Sequence, residues 1–266
     1  MLTSRLRQTL NRHPALKAGL RGLLQPFRRS TSADYRALPA GDRSATISEL
    51  HDAWRNATIP GLQREGVERS LAAYRGGAAI AGFDQLVDLL RPLASTTAGQ
   101  SLLEVGCSSG YHGEVLALRG LDLRYSGCDY SSAFIDLARR CHPGLPFEVA
   151  DATALPHADN AFDIVVSGCC LLHIADYRTA IAETARVARR HALFFRTPVV
   201  HTLPTQFFTK QAYGVKTVEI HFSESELVRL FAASGLRVIA AETLSADWRQ
   251  GDAFAMKSYL CEKKAP

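Results

Sequence analysis

The sequence predicts an α/β fold, a mostly parallel sheet with helices on both faces, and three observations carry that prediction. Short apolar runs rich in Val, Ile, Leu and Phe recur between residues 102 and 262. A glycine-bracketed turn follows the first of them, and segments with three-and-four apolar spacing separate most of the others, which is the alternation that strand–helix–strand units require. The 266 residues, 47% of them apolar, are enough for one large domain with an extension and a buried core.

The extension comes first. Leu2, Leu6 and Leu10 share a helical face, Pro14 interrupts, and Leu16, Leu20, Leu23 and Phe27 form a second face. Residues 1–33 hold seven Lys or Arg and no acid, so the net charge of +5 resides there and the remainder carries 24 basic and 26 acidic residues. A near-neutral remainder makes a nucleic-acid partner unexpected. The basic amphipathic segment fits peripheral membrane contact through residues 1–29, an Arg-rich presequence, or a helix without a partner. Residues 30–65 read as linker and lid: a turn-rich Leu38-Pro39-Ala40-Gly41-Asp42, then a short helix around Ile47 to Trp54 that closes near Pro60-Gly61. The expected division is therefore 1–65 and 66–266. No apolar run reaches the length of a membrane span. The six cysteines form no Cys-x-x-Cys pair and no zinc-like set with histidine, so reduced thiols, no metal and a cytoplasmic location are expected.

Phe83, Leu86, Val87 and Leu90 define a helix expected to stop at Pro92, and Arg75 ahead of it reads as either a contact for a ligand carboxylate or a solvated side chain. Leu102, Leu103 and Val105 make the first strand. Gly106 and Gly110 remove side chains where the chain must turn, and Tyr111 to Arg119 makes the helix after it. A dinucleotide fingerprint would place glycine at the first, third and sixth positions, but these hold Gly106, Ser108 and Tyr111. The second strand, Leu123 to Cys128, ends in Asp129, 23 residues after Gly106, where an acid can accept hydrogen bonds from ribose hydroxyls. Ser131 is a candidate cap for the helix Ser132 to Arg140. The third strand, Phe147 to Ala150, leads into Asp151-Ala152, and the fourth, Phe162 to Ser167, leads into Gly168-Cys169-Cys170-Leu171-Leu172-His173. A helix from Tyr177 to Arg190, a fifth strand Ala192 to Phe195 and a connection of about 25 residues follow. Ser223-Glu224-Ser225-Glu226 reads as a capping box before the helix Leu227 to Ala233, and Leu236 to Ala241 and Phe254 to Glu262 supply the last two strands.

The acid-x-Gly-x-x-x-Gly turn from Glu104 to Gly110, the acid Asp129, the acid Asp151 and the Phe-Asp-Ile-Val-Val strand together resemble the class I S-adenosylmethionine-dependent methyltransferases, strongly over residues 80–198. Ser108 stands where that family usually has a further glycine. The resemblance implies a Rossmann-like, seven-stranded sheet of order 3-2-1-4-5-7-6 whose seventh strand is antiparallel, with S-adenosyl-L-methionine as cofactor. It implies a cofactor site made from Glu104, Gly106, Ser108, Gly110, Asp129, Tyr130, Asp151, Ala152 and Gly168, with Asp151 and the backbone at Ala152 beside the adenine and the end of the fourth strand beside the methyl donor.

Such a cofactor arrives activated, so the protein mainly has to align an acceptor and exclude water, and a hydroxyl acceptor gains from a general base. That directs attention to His173 and His221 as catalytic candidates, with His201 and Tyr213 beside them. His112 is expected to pack or hydrogen-bond locally. Phe207, Phe208 and Tyr213 suit a small or medium organic acceptor, such as a hydroxyl of a sugar, a lipid-linked glycan or a secondary metabolite. A nucleotide-dependent oxidoreductase and a non-catalytic scaffold are the alternatives. Ser108 and Tyr111 break the fingerprint of the first, and the retention of Gly106, Gly110, Asp129 and Asp151 speaks against the second.

Overall fold

The computed structural model describes residues 32–96, 99–249 and 252–264. The N-terminal extension expected to be helical, and with it the membrane contact expected through residues 1–29, lies outside the described residues. The compact unit begins at Asp34, and the expected division at residue 65 falls inside a helix. No described helix is long and apolar enough to cross a membrane.

In chain order the elements are β1 (Ser32–Ala37), α1 (Arg43–Glu49), α2 (Ile59–Arg75), α3 (Ala81–Thr96), β2 (Gln100–Val105), α4 (Tyr111–Leu118), β3 (Leu123–Asp129), α5 (Ser132–Cys141), β4 (Phe147–Val149), β5 (Phe162–Gly168), α6 (Tyr177–Val187), β6 (Ala188–Val200), β7 (Gln206–Ala212), β8 (Val215–Ser223), α7 (Glu224–Ala233), β9 (Leu236–Arg249) and β10 (Asp252–Lys263). Strands β4, β3, β2, β5 and β6 pair in parallel, in that order. Strand β10 runs antiparallel to both β6 and β9. This is a Rossmann-like arrangement, but the sheet is larger and more mixed than the expected seven strands: ten strands join, because β1, β7 and β8 are added.

Alternation along the central strands explains why both faces are covered. Leu103, Val105, Val165 and Phe194 enter one apolar layer with Ile181 of α6 and Leu227 and Phe231 of α7. Leu102, Ile164, Val166, Leu193 and Phe195 enter the other with Leu71, Leu90, Val115 and Ile135 from α2 to α5. Strands buried on both sides have no polar face to show, hence their near-continuous apolar sequence.

Several expectations are corrected. The segment after the fifth strand is not a loop. Strand β6 runs to Val200, well past Phe195, and the next residues form the antiparallel hairpin β7–β8. Strand β5 accompanies β6 only as far as Phe195, and β8 then pairs with Val199 and Val200. The hairpin therefore continues the sheet beyond the carboxyl end of β5, and β1 extends it further at β7. The helix expected to reach Arg190 ends at Val187, because Ala188 already pairs with Phe162. Pro92 lies inside α3 on its exposed side, where its missing N–H removes one helical bond without ending the helix. Ser223 is the residue before α7 but makes no side-chain cap, and Glu226 instead accepts hydrogen bonds from Tyr177 and Thr205. Ser131 likewise caps α5 without a side-chain bond.

Candidate active site

The site is built on the turn after β2. Gly106 and Gly110 both have φ of +73°, and between them Ser108 has φ of +49°, a left-handed conformation that costs a residue with a Cβ. The turn is tied to the end of β3, since the N–H groups of Gly106 and Cys107 both donate to the Cys128 carbonyl, at 2.8 and 3.0 Å. It is also tightly enclosed. A Cβ on Gly106 would collide with the Cys170 side chain, and one on Gly110 would come within 2.6 Å of the Phe147 ring. The glycines are thus required by φ and by packing at once.

Asp129 ends β3 with its carboxylate buried. Oδ2 accepts from the Ser108 N–H and Oδ1 from the Ser131 N–H, each at 3.0 Å. Burial nevertheless dominates these donors and pushes its pKa up to about 6. Each oxygen retains acceptor capacity, as a group that binds a diol needs. Tyr130, next in sequence, donates its hydroxyl to the His51 carbonyl at 3.1 Å and lies under the Arg55 guanidinium, 5.0 Å from the ring centre. Asp151 is exposed after β4, where Oδ1 accepts from the N–H and hydroxyl of Thr153 at 2.8 and 2.7 Å, and Ala152 beside it is half-buried.

Glu104, expected among the cofactor contacts, is engaged by its neighbours within the protein. It is buried beneath the turn, Oε1 meets His112 Nδ1 at 2.6 Å, and Oε2 accepts from the Tyr125 hydroxyl. Both oxygens thereby hold the turn's underside, and Gly168 is needed because a Cβ there would overlap the Glu104 carboxylate. Arg75 is equally local, in ion pairs with Glu68 and Glu114 on the surface.

Strand register aligns the parts. Val105 is level with Cys128 on one side and Ser167 on the other, and Gly168 is level with Phe195. Asp129, Gly106, Gly168 and Phe195 consequently form one row at the carboxyl edge of the sheet, the place where ligands of open α/β sheets bind. Past Gly168 the chain makes a tight 3-10 turn, Leu171–His173. His173 Nδ1 donates to the Val218 carbonyl of β8 at 2.8 Å, because a carbonyl can only accept, which leaves Nε2 as the basic nitrogen of the neutral ring. Burial pulls the His173 pKa down to about 4, with Lys210 adding to the effect. Trp54 packs against His173 with ring centres 4.5 Å apart and reaches Tyr213 at 6.3 Å. Residues 51–55 therefore roof the row from Tyr130 to His173.

The other histidine candidates are not brought there. His221 is buried in the hairpin, its Nε2 3.0 Å from Glu219 Oε1 and its ring between Phe208 and Phe254. Glu219 also binds Lys210 Nζ and the Tyr35 hydroxyl, so this is a buried ionic cluster that joins β1, β7 and β8. His201 lies past β6 and lines a separate cleft of about 230 Å³ with Glu224 and Lys257. Two residues beside the row escaped sequence reasoning. Trp54 carried no local signal, whereas Arg196, the one charge within Ala192–Val200, did stand out from its apolar surroundings. Among the described residues no group of three or more His, Cys, Asp or Glu could hold a metal ion.

A glycine turn tied to a buried strand-end acid, at the carboxyl edge of a parallel sheet, defines a Rossmann-like domain with a nucleoside-type site. Residues 103–195 match the family model of the methyltransferase domain. Through that segment the chain is similar to the S-adenosylmethionine-dependent methyltransferases. A demethylmenaquinone methyltransferase of Renibacterium salmoninarum is 36% identical over 91 residues, 34% of this chain and 38% of that protein, so the chain spans well under half the length of that relative. A malonyl-acyl-carrier protein O-methyltransferase of Hahella chejuensis is 27% identical, over 69% of this chain and 70% of the other. Among solved structures, the 1,6-didemethyltoxoflavin-N1-methyltransferase of Burkholderia thailandensis superimposes with a TM-score of 0.51 at 16% identity, covering 90% of this chain and 99% of that one. The cyclase SpnF gives 0.52 at 18% identity, covering 69% and 82%. At such identities the two structures establish the fold alone.

Proposed function

We propose that the protein transfers the methyl group of S-adenosyl-L-methionine to a small or medium organic acceptor by in-line displacement. The observation that carries this reading is the buried Asp129 carboxylate, locked to the strained turn at Ser108 and free to accept from a ribose diol. When bound, the cofactor supplies a methyl group already activated on a sulfonium. The Gly106–Gly110 turn, Asp129 and Tyr130 would hold its ribose, and Asp151 and Ala152 its adenine. Gly168, one strand over from Gly106, would border the methyl. Glu104 acts from below by fixing the turn through His112 and Tyr125.

His173 is the candidate base. A neutral imidazole whose Nδ1–H is fixed by Val218 presents one lone pair in one direction, which suits removal of a proton from an acceptor hydroxyl. Trp54 and Tyr213 exclude water from that side. The named activities of the demethylmenaquinone and malonyl-acyl-carrier protein methyltransferases support an organic acceptor. Nucleotide-dependent hydride transfer has less support, because Ser108 and Tyr111 occupy two of the three positions its glycine fingerprint needs.

Calorimetry with S-adenosylmethionine, S-adenosylhomocysteine and NAD tests the reading. The first two are expected to bind and NAD is not. Binding of NAD alone, or of none of the three, overturns it.

A further inference from the structure

Arg196 is built in an unusual way. It lies inside β6 at an irregularity of register: Phe194 is opposite Tyr259 and Thr197 opposite Lys257, so Phe195 and Arg196 together face Ser258. Its φ is +56°, rare for a residue with a long side chain. The backbone is held in this shape by the buried Ser258, whose Oγ accepts from the Arg196 N–H at 3.1 Å and donates to Gln85 Oε1 at 2.8 Å. Bulges of this kind re-aim a side chain beside a site, and strain of this kind persists where the surroundings enforce it.

The re-aimed guanidinium has no ion pair with any described residue, and its Nε is buried without a hydrogen-bond partner. Its titratable neighbours are Cys169, Tyr111 and Tyr213, with no carboxylate among them. Cys169 and Tyr213 are themselves in left-handed conformations, with φ of +61° and +51°. A cation in such surroundings has given up hydration without a carboxylate to pair with. A ligand anion would supply one.

We propose that Arg196 is a recognition site for a carboxylate on the acceptor, and that the acceptor is a flat organic acid seated among Tyr111, Tyr213 and Trp54. The inference rests on the methyl-transfer reading and deepens it. Position separates this anion from the cofactor. Arg196 is one residue past the row of Asp129, Gly106, Gly168 and Phe195, and three strand spacings of about 4.8 Å, roughly 14 Å in all, separate its strand from that of Asp129. It stands on the side of His173 and the hairpin. The planar fork of arginine matches a carboxylate through two parallel hydrogen bonds.

The test uses the full-length protein with benzoate and its uncharged counterpart benzamide as probes, at fixed ionic strength, with and without S-adenosylhomocysteine. Benzoate is expected to raise the thermal midpoint of the wild type and benzamide to leave it unchanged. In Arg196→Met the benzoate response disappears while S-adenosylhomocysteine affinity stays within about twofold, since the contact belongs to the acceptor. Arg196→Lys, which keeps the charge without the fork, retains a weaker response and covers the case in which the Met variant does not fold. Equal responses to benzoate and benzamide in the wild type overturn the proposal. So does a loss of about tenfold or more in S-adenosylhomocysteine affinity in Arg196→Met, which would assign the guanidinium to the cofactor's own carboxylate. Failure of the wild type to bind S-adenosylhomocysteine would sink the methyl-transfer reading alone, because the benzoate comparison is also made without it.

Discussion

The Ser108 N–H donates to Asp129 Oδ2 at 3.0 Å and so joins the turn after β2 to the end of β3. One bond thereby couples the two parts of the candidate site, the turn and the strand end. Ser108 is held at φ of +49° while it does so, and the carboxylate that accepts from it is buried. The carboxylate of Asp129 therefore braces the turn, besides its proposed part in binding.

Replacement of Asp129 by Ala is expected to weaken S-adenosylhomocysteine binding by about 1–3 kcal/mol, read by calorimetry, through the loss of charge-assisted hydrogen bonds. Affinity in the wild type should also fall below a pH of about 6, where the carboxyl takes up its proton. The effect on stability has the opposite sign. The folded pKa is raised above its ordinary 3.8, so this group's contribution is present below 3.8 and is lost as pH rises through about 6.

Gly106→Ala tests the enclosure of the turn. The new Cβ requires φ of +73° and meets Cys170, with Sγ 2.8 Å away. A loss of about 2–4 kcal/mol in urea unfolding is expected, from overpacking added to the strained conformation. Combination with Cys170→Ala should recover only part of it, because the φ cost remains. Full recovery would show that packing alone demands the glycine.

In the hairpin, Glu219 is the common partner of Lys210 and His221, and hydrogen bonds with His221 and Lys210 hold its pKa down to about 2 against its burial. Glu219→Leu should cost about 3–5 kcal/mol in thermal or urea unfolding, since it removes the carboxylate that the buried Lys210 ammonium meets. The depressed pKa means that this stabilisation is present above 4.5 and is lost as pH falls towards 2, which an acid titration followed by tyrosine fluorescence would register.

His173→Ala should lower kcat by about a hundredfold or more with S-adenosylhomocysteine affinity unchanged, as loss of a general base requires. Because burial holds the His173 pKa near 4, the wild-type rate should show no histidine limb between pH 5 and 8. A limb near 6.5 that disappears in the variant would mean that the ring is solvated in the working enzyme.

The parallel core and its glycine turn were legible because their causes are local. Leu102 to Val105 and Ile164 to Val166 are apolar on both faces wherever they are placed, and Gly106 and Gly110 need positive φ whatever packs around them. The same reasoning located Asp129, since the end of a strand is a local feature. The bracing role of Glu104 was not legible, because nothing near it in sequence shows that His112 and Tyr125 will each meet one of its oxygens.

From the amino-acid order alone came the strand–turn–helix rhythm, the acid that closes the second strand and the kind of ligand such a turn admits, since each follows from one chain segment's own preferences. Tertiary structure decided what surrounds them. The hairpin Gln206–Ser223 exists because β6 outruns β5 and leaves its edge unpaired, and Trp54 meets His173 across more than a hundred residues of chain. The backbone at Arg196 is irregular because Ser258 and Gln85, distant in sequence, hold it in that shape. Such contacts depend on which segments the closed sheet makes neighbours, and no local window contains that information.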